Sequence, residues 1–278
     1  MTGIIDVGGG MRGVFTSGIY DYMLDNGLSA DIFAGVSAGS ANIASFLSGQ
    51  YGRSKRFYLE YSLRNEYMSL KNFLKKGSYV DLDYVYSTLS NSNGEDPLDY
   101  NAFEKNPADF IVVATDAVSG KAHYFSKSDI SQDNYNVMKA SSALPAACRP
   151  YFVKGRYYYD GGISDPIPYR FLLEKGCDRI VLLLTRPKDF RRLPQKHPGI
   201  YRRFLRQFPE SYNSLMRRHL RYNRALEAVA KLERQSKALI IAPSDITGID
   251  TLKNNRQAME RLYREGYRKA AALRSFLA

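Results

Sequence analysis

The chain has 278 residues, of which 44% are hydrophobic and 24% are charged, as in an ordinary folded protein and unlike a disordered segment. Two cysteines and three histidines exclude a disulfide framework or a cysteine metal cluster and argue against a histidine metal site. No run approaches the roughly 20 apolar residues of a membrane span, and no basic leader precedes an apolar run at the start. We therefore expect a cytoplasmic protein without a bound metal.

The net charge of +12 is unevenly distributed. Residues 186–224 hold 12 of the 40 Lys and Arg but only two of the 28 Asp and Glu, so this segment carries ten of the twelve net positive charges. Because aromatic residues are interleaved with the basic ones, a module that binds nucleic acid or another anionic surface is one alternative function. No nucleic-acid motif accompanies the segment, and nucleic acid is not the partner we expect.

Short apolar runs alternate with helical segments, a pattern typical of parallel strands joined by crossover helices. We predict strands at residues 3–8, 32–36, 110–116, 179–185 and 238–244, and shorter ones at 121–125 and 156–160. An amphipathic helix is predicted over 256–277, with Met259, Leu262, Tyr263, Gly266, Ala270, Leu273 and Leu277 on its apolar face. The expected fold class is α/β, a three-layer α/β/α domain over residues 1–278 with a mostly parallel central sheet.

A glycine-rich loop, DVGGGMRGVF (6–15), follows the first predicted strand and begins a helix. Gly8, Gly9 and Gly10 allow backbone N–H groups to point into a cavity, and the helix N-terminus adds positive potential, so the loop can bind an anion. Gly8, Gly10 and Gly13 also match the dinucleotide fingerprint, which requires an acidic residue at the end of the second strand. Asp31 opens that strand instead, so we favour an oxyanion-binding loop.

The stretch DIFAGVSAGSANIASF (31–46) runs from an apolar strand into a serine and then into small helix-forming residues. Gly35 and Gly39 flank Ser37 in a G-x-S-x-G pattern. A sharp strand-to-helix turn needs small residues at these offsets, because larger side chains would collide with the neighbouring turn. The pattern predicts a nucleophile elbow with Ser37 at its apex. A plain loop rich in Gly and Ser is the alternative.

Residues 50–100 have a helical and aromatic pattern and are longer than one crossover helix requires. We interpret them as a helical, lid-like insertion. Its aromatic residues either line an apolar entrance above Ser37 or pack these helices onto the sheet. The residues in question are Tyr58, Tyr61, Tyr67, Phe73 and Tyr84.

The sequence YYYDGGISDPIP (157–168) ends a strand with Asp160, followed by Gly161 and Gly162. Asp-Gly-Gly alone is an ordinary turn signal. A serine nucleophile, however, needs a base within hydrogen-bond reach, and an aspartate fixed at a tight turn can supply one. Ser37 and Asp160 are therefore a candidate catalytic pair.

In this order, the glycine-rich loop, G-x-S-x-G and Asp-Gly-Gly resemble the patatin-like phospholipase family. The stretches ATDAVSGKAHYF (114–125) and KASSALPAACRP (139–150) are similar to two further parts of that family's pattern. The resemblance covers residues 3–185 and leaves 186–278 as a basic C-terminal extension. It implies a patatin-like fold and a serine-dependent lipid acyl hydrolase of the phospholipase, lysophospholipase or carboxylesterase type, which needs no metal or cofactor.

The resemblance also implies roles for individual residues. Ser37 matches the family's nucleophile and Asp160 its proton acceptor, which together form a two-residue dyad. The oxyanion loop is matched by Gly8, Gly9, Gly10, Arg12 and Gly13. Many members have Asn shortly after Asp-Gly-Gly, where this chain has Asp165, and we expect this difference to alter the shape of the site but not its chemistry.

Two alternatives to the dyad stay open. Ser37, Asp160 and His197 follow the chain order of an α/β-hydrolase triad, although His197 lies in a basic loop flanked by proline. A non-catalytic module that binds an anionic surface or nucleic acid would leave the serine turn unexplained. The expected partners are a lipid or acyl-ester substrate and, through residues 186–224, an anionic membrane surface, unless that segment is only a solvated helix face.

Overall fold

The central sheet of the computed structural model, which describes residues 1–252 and 255–277, contains eight strands. They are β1 Thr2–Asp6, β2 Ile32–Val36, β3 Asp109–Asp116, β4 Ala122–Ser126, β5 Tyr151–Val153, β6 Arg156–Asp160, β7 Arg179–Leu183 and β8 Ala238–Ile241. Their order is β5-β6-β3-β2-β1-β7-β8, and β4 also pairs with β3. The run β3-β2-β1-β7-β8 is parallel, whereas β4, β5 and β6 are antiparallel to their neighbours.

The prediction of a mostly parallel α/β sheet is confirmed. Strand β2 has its predicted bounds, while β1, β7 and β8 end two or three residues before the predicted positions, because the apolar runs continue into the loops at the carboxyl edge. Strand β5 was not predicted. It has only three residues and forms a hairpin with β6, too short to produce a hydrophobic period.

Eleven α-helices are described by the structure, and they cover both faces of the sheet. They are α1 Val14–Asp25, α2 Ala38–Leu47, α3 Arg53–Leu59, α4 Leu70–Lys76, α5 Tyr100–Lys105, α6 Asn136–Ser142, α7 Tyr169–Glu174, α8 Pro198–Phe204, α9 Pro209–Arg234, α10 Arg256–Lys269 and α11 Ala272–Leu277. In the described part of the chain, no helix is both long and apolar enough to cross a bilayer.

Alternate strand residues enter two separate cores, as the pleat of a sheet requires. In β1, Ile4 belongs to a first core beneath α1, α2 and α10, whereas Ile5 belongs to a second core beneath α7 and α9. In β7, Val181 and Leu182 are divided in the same way. This division produces the three layers that the apolar strands indicate.

The predicted helix over 256–277 is two helices, α10 and α11, separated by a turn at Ala270 and Ala271. Its apolar face is otherwise as expected: Met259, Leu262 and Leu273 are buried in the first core. Helix α10 packs closely against α1, the helix that follows the glycine loop. The C-terminal extension therefore supports the scaffold of that loop.

The contact between α1 and α10 depends on glycine at the crossing point. A Cβ at Gly266 would overlap the carbonyl oxygen of Phe15 and lie 2.9 Å from its carbonyl carbon. These are backbone atoms, so the neighbouring helix cannot give way without moving as a whole.

We expect Gly266→Ala to lower the free energy of unfolding by about 1–3 kcal/mol, because overpacking outweighs the gain in helix propensity. The matched control is Gly199→Ala in α8, where a Cβ would meet nothing within 4 Å and where stability should stay the same or rise. Urea denaturation measures both. Equal stability of the two variants would contradict the close α1–α10 contact.

Candidate active site

Ser37 is the single residue between β2 and α2, and its backbone has φ +57° and ψ −131°, a conformation that costs free energy for a residue with a side chain. Its N–H donates to Ser141 Oγ at 2.8 Å, and Ser141 Oγ donates to Val113 O at 2.6 Å. Its carbonyl accepts from Ser40 Oγ at 2.6 Å. The strained turn is therefore fixed to β3, α6 and α2.

The two flanking glycines are required by close approach of the backbone. A Cβ at Gly35 would lie 2.5 Å from Ser40 Cα, and one at Gly39 would lie 2.5 Å from Asp6 O. The G-x-S-x-G pattern thus forms the sharp strand-to-helix turn that it predicts.

The glycine loop lies against this turn. Gly8, Gly9 and Gly10 have φ values of +61°, +128° and +60°, which a residue with a side chain rarely adopts. A Cβ at Gly8 would lie 2.9 Å from Gly39 N, so the loop contacts the start of α2. Thr185 Oγ1, two residues after the end of β7, donates to Gly8 O and holds the loop in place.

Two further residues of this motif contact other parts of the chain. Gly13 lies beside the Tyr58 hydroxyl. Arg12 is buried and donates to Asp250 Oδ1 at 2.7 Å and to Thr251 Oγ1 at 3.0 Å. The Arg12 guanidinium thus binds the segment that covers the loop from the C-terminal extension.

The pairing of the strands brings Asp160 close to Ser37. Val36 pairs with Val113 of β3, and the next residue of β3, Ala114, pairs with Asp160. Ser37 and Asp160 therefore lie in one row of the sheet, on either side of β3. Their Cα atoms are two strand spacings, or about 10 Å, apart. This register places the two side chains at a common site.

The Asp160 carboxylate is buried, and only one of its two oxygens accepts a hydrogen bond from the part of the chain that the structure describes. Its Oδ1 accepts from Gly162 N at 2.8 Å, while Oδ2 has no hydrogen-bond partner among the described residues. Burial raises the pKa of Asp160, and the Arg218 cation and, more weakly, the Ser37 side chain lower it. No hydrogen bond of ordinary length joins Ser37 Oγ to Asp160, a common situation in sites without a substrate. The free oxygen can accept a proton.

None of the three histidines forms a hydrogen bond with this pair in the described part of the chain. His197 is exposed ahead of α8. His219 Nδ1 contacts Met216 O at 2.9 Å within α9, and the His123 ring packs against Phe125. The structure thus gives the triad alternative no support.

The dinucleotide alternative also lacks its acidic residue. The carboxyl end of β2 leads directly into Ser37, whereas Asp31 lies before β2 and accepts from Thr2 N at the opposite edge of the sheet. Nor do the described residues contain a group of three or more His, Cys, Asp or Glu that could hold a metal ion.

An apolar cavity opens at Ser37, between α2, α3, α6 and the segment around residues 80–98. Tyr58, Tyr61 and Tyr67 line it, as one of the two interpretations of the aromatic insertion predicts. Phe73 and Tyr84 do not line it. Phe73 is 37% exposed, whereas the four tyrosines all pack in the first core, so the packing interpretation also holds for them.

Three residues that shape the site were not predicted from the sequence: Asp6, Ser141 and Arg218. Asp6 is fully buried and accepts from Gly8 N at 2.9 Å, and its position just before the glycine loop was the available signal. Ser141 lies in the family-like KASSALP stretch. Arg218 precedes Tyr222 by one helical turn, so it shares the buried face of α9.

A family model described as patatin-like phospholipase matches residues 7–173, and a domain of unknown function, DUF6363, matches residues 208–275. The uncharacterized protein YjjU of Escherichia coli K12 is 30% identical over 191 residues, which cover 68% of this chain and 53% of that protein. An uncharacterized NTE family protein of Mycobacterium tuberculosis, Rv2565, is 22% identical over 262 residues, which cover 90% of this chain and 42% of that protein.

The crystal structure of VipD from Legionella pneumophila superposes with a TM-score of 0.50 and 15% identity, covering 99% of this chain and 67% of that one. This similarity concerns the fold alone. The chain belongs to the patatin-like phospholipase family, whose matched region contains all three motifs. Family membership supports a lipid acyl hydrolase. The chain spans about half, or less, of the length of the two curated relatives.

The burial of Asp6 makes stability depend on pH in a defined direction. Burial raises its pKa from 3.8 to about 6, although the hydrogen bond from Gly8 opposes the change. Between these values the folded state binds more protons than the unfolded state. The contribution of Asp6 to stability therefore declines as pH rises through this window, by up to about 3 kcal/mol.

We expect Asp6→Asn to gain stability relative to the unmodified chain at pH 7.5 but not at pH 4.5, as measured by urea denaturation. Exposed Asp189, changed to Asn, is the control and should show no such difference. A shift in stability that is equal at both pH values would show that Asp6 titrates normally.

Proposed function

We propose that the chain is a serine-dependent hydrolase of lipid carboxylic esters, with Ser37 as the nucleophile and Asp160 as its base. The observation that carries this proposal is the strained Ser37 turn, held in the same sheet row as a buried aspartate with one unpaired oxygen. Backbone strain of this kind persists where the surrounding structure enforces it, and it clusters at functional sites.

In the proposed reaction, Asp160 Oδ2 takes the proton from Ser37 Oγ as this oxygen attacks the ester carbonyl carbon. The tetrahedral oxyanion then collapses, and the leaving alcohol receives the proton from Asp160. Water attacks the acyl-enzyme with Asp160 again as base, which releases the fatty acid and restores Ser37. A base with a raised pKa suits this task, because it holds the proton better at the transition state.

The glycine loop is the proposed oxyanion-binding element. Its left-handed residues, Gly8, Gly9 and Gly10, adjoin the turn at Ser37 and lead into α1. Backbone N–H groups that are fixed in advance stabilise developing negative charge without reorganisation. Arg12 contributes by binding Asp250 and Thr251, which anchors the loop.

The apolar cavity is the proposed acyl-chain site. Its walls include Phe57, Tyr67, Val85, Leu89 and Met138, and such a lining favours a hydrocarbon chain over a polar substrate. A binding module without catalysis would need neither this cavity nor the strained serine.

The dyad is tested by turnover of a short-chain chromogenic acyl ester. Ser37→Ala and Asp160→Asn should each lower kcat by at least about 10³-fold while the melting temperature shows a folded protein. His197→Ala should cost little, because His197 is exposed and contacts neither residue. A loss in His197→Ala as large as that in Asp160→Asn would replace the dyad by a triad.

We further propose that the exposed part of residues 186–224 docks the enzyme onto an anionic membrane surface. Leu193, Ile200 and Phe204 are 71%, 53% and 46% exposed, and exposed arginines lie beside them in α8 and just after it. Each basic residue near an anionic surface contributes about 1 kcal/mol, and apolar side chains can insert shallowly. Not every apolar residue of the segment takes part, since Leu205 is buried.

Docking predicts that the protein binds anionic vesicles but hardly binds zwitterionic ones, and that added salt releases it. Changing Arg202, Arg203 and Arg206 to Glu should abolish vesicle sedimentation and leave hydrolysis of a soluble ester intact.

The matched control changes three exposed arginines of α10, Arg256, Arg264 and Arg268, to Glu, with the same change in net charge. This variant should still sediment with vesicles. Equal loss in both variants would show that net charge, not this surface, governs binding.

A further inference from the structure

Three arginines of the basic segment lie beside the motif loops rather than on the open surface. Arg186, Arg192 and Arg218 are only partly exposed. Together with buried Arg12 they lie close enough to Tyr222 to act on its pKa, which burial raises and the four cations lower. We call Arg12, Arg186, Arg192 and Arg218 the arginine cluster.

The cluster borders both loops that flank the proposed nucleophile. Arg12 Nη2 is 3.1 Å from the position that a Cβ at Gly9 would occupy. Arg218 Nη2 is 2.8 Å from the corresponding position at Gly162. An anion held by these guanidinium groups would lie beside the glycine loop and the Asp-Gly-Gly turn.

Most of the donors in the cluster have no acceptor in the protein. Within the described residues, the side chains of Arg192 and Arg218 form no hydrogen bond and no ion pair, and Arg186 has only a 3.6 Å contact with Asp250. The Nε atoms of all four arginines are buried without a partner. Buried donors without an acceptor are costly, and an anion bound between these side chains would pair donors that the protein leaves free.

Aromatic rings hold two of the guanidinium groups in place. Arg186 lies 4.4 Å from the centroid of the Phe190 ring, and Arg192 lies 5.2 Å from that of Tyr222. The two rings are themselves in edge contact. Stacking of this kind orients a guanidinium and leaves its N–H edges free for a phosphate or carboxylate.

The charge of the cluster is offset only in part. Asp250 and, when ionised, Asp160 are the carboxylates that interact with it most directly. Burial is the larger cause and a neighbouring arginine the second; together they lower the pKa of Arg12 to about 10 and that of Arg192 to about 9. Both guanidinium groups therefore stay charged near pH 7. Four cations and two carboxylates leave two positive charges, which match one dianion.

The aromatic residues that hold the cluster and those that line the apolar cavity pack on opposite faces of the sheet. Tyr222 and Phe190 pack on the second core, whereas Tyr58 and Tyr67 of the cavity pack on the first. An ester whose carbonyl reaches Ser37 and whose acyl chain fills the cavity therefore directs its alcohol portion towards the arginines.

We propose that the arginine cluster binds the phosphate of the substrate, and that the enzyme prefers acyl esters whose alcohol portion carries a phosphomonoester dianion. This inference rests on the hydrolase proposed above and adds the class of substrate. Residues from the C-terminal extension would then select the substrate for a dyad that lies entirely in the patatin-like region.

The test compares a 1-acylglycerol 3-phosphate with the monoacylglycerol of the same chain, which differs only in the phosphate. The unmodified enzyme should have a kcat/KM at least about tenfold higher for the phosphate ester, the scale of one charge-assisted hydrogen bond. Arg192→Gln should remove most of this preference, mainly through KM. The control is Arg217→Gln, an exposed arginine of α9 beside Arg218, and it should retain the preference.

Direct binding is measured without turnover, as the rise in melting temperature caused by glycerol 3-phosphate compared with glycerol. The rise should occur in the unmodified protein and in Ser37→Ala, and it should be lost in Arg192→Gln. No phosphate preference in the unmodified enzyme, or a preference that Arg192→Gln keeps, overturns the proposal. Failure to hydrolyse either ester, with the thermal shift intact, would contradict the hydrolase and not the phosphate site.

Discussion

The arrangement of the site depends on one residue held in an unfavourable backbone conformation. Ser37 has a left-handed φ at the junction of β2 and α2, and neighbours on adjoining elements keep it there through hydrogen bonds with Ser141 and Ser40. Close packing at Gly35 and Gly39 permits the turn. Because the glycine loop contacts the start of α2, the same constraint sets the position of the proposed oxyanion site.

The C-terminal extension contributes to the site more directly than its lack of catalytic motifs indicates. Helix α10 packs on the helix behind the glycine loop, and Asp250 and Thr251 bind Arg12. Helix α9 brings Arg218 close enough to Asp160 to lower its pKa. The basic segment consequently has two populations of arginine. One lies beside the motif loops, and the other, which includes the arginines in and just after α8, faces solvent.

The features that could be predicted from the sequence are those that a local residue pattern determines. The turn at Ser37 follows from glycine spacing, and the strands follow from apolar runs. The chemistry of a serine and an aspartate and the family resemblance both suggested pairing Asp160 with Ser37. The geometry that joins them could not be read from the sequence, because it depends on the antiparallel register between β6 and β3. The arginine cluster escaped prediction because its members, Arg12, Arg186, Arg192 and Arg218, come from three separate segments of the chain. A count of charged residues along the sequence does not distinguish them from the exposed arginines.

The most direct measurement of the central claim is the site at which a fluorophosphonate probe labels the folded protein. Such probes react with a serine only when a base activates it beside an oxyanion-binding element. Our account predicts one labelled peptide that contains Ser37 and loss of the label in Ser37→Ala. The label should be retained in the control Ser54→Ala, which changes a serine that also lines the cavity. Label on a different serine, or label that persists in Ser37→Ala, would contradict the account.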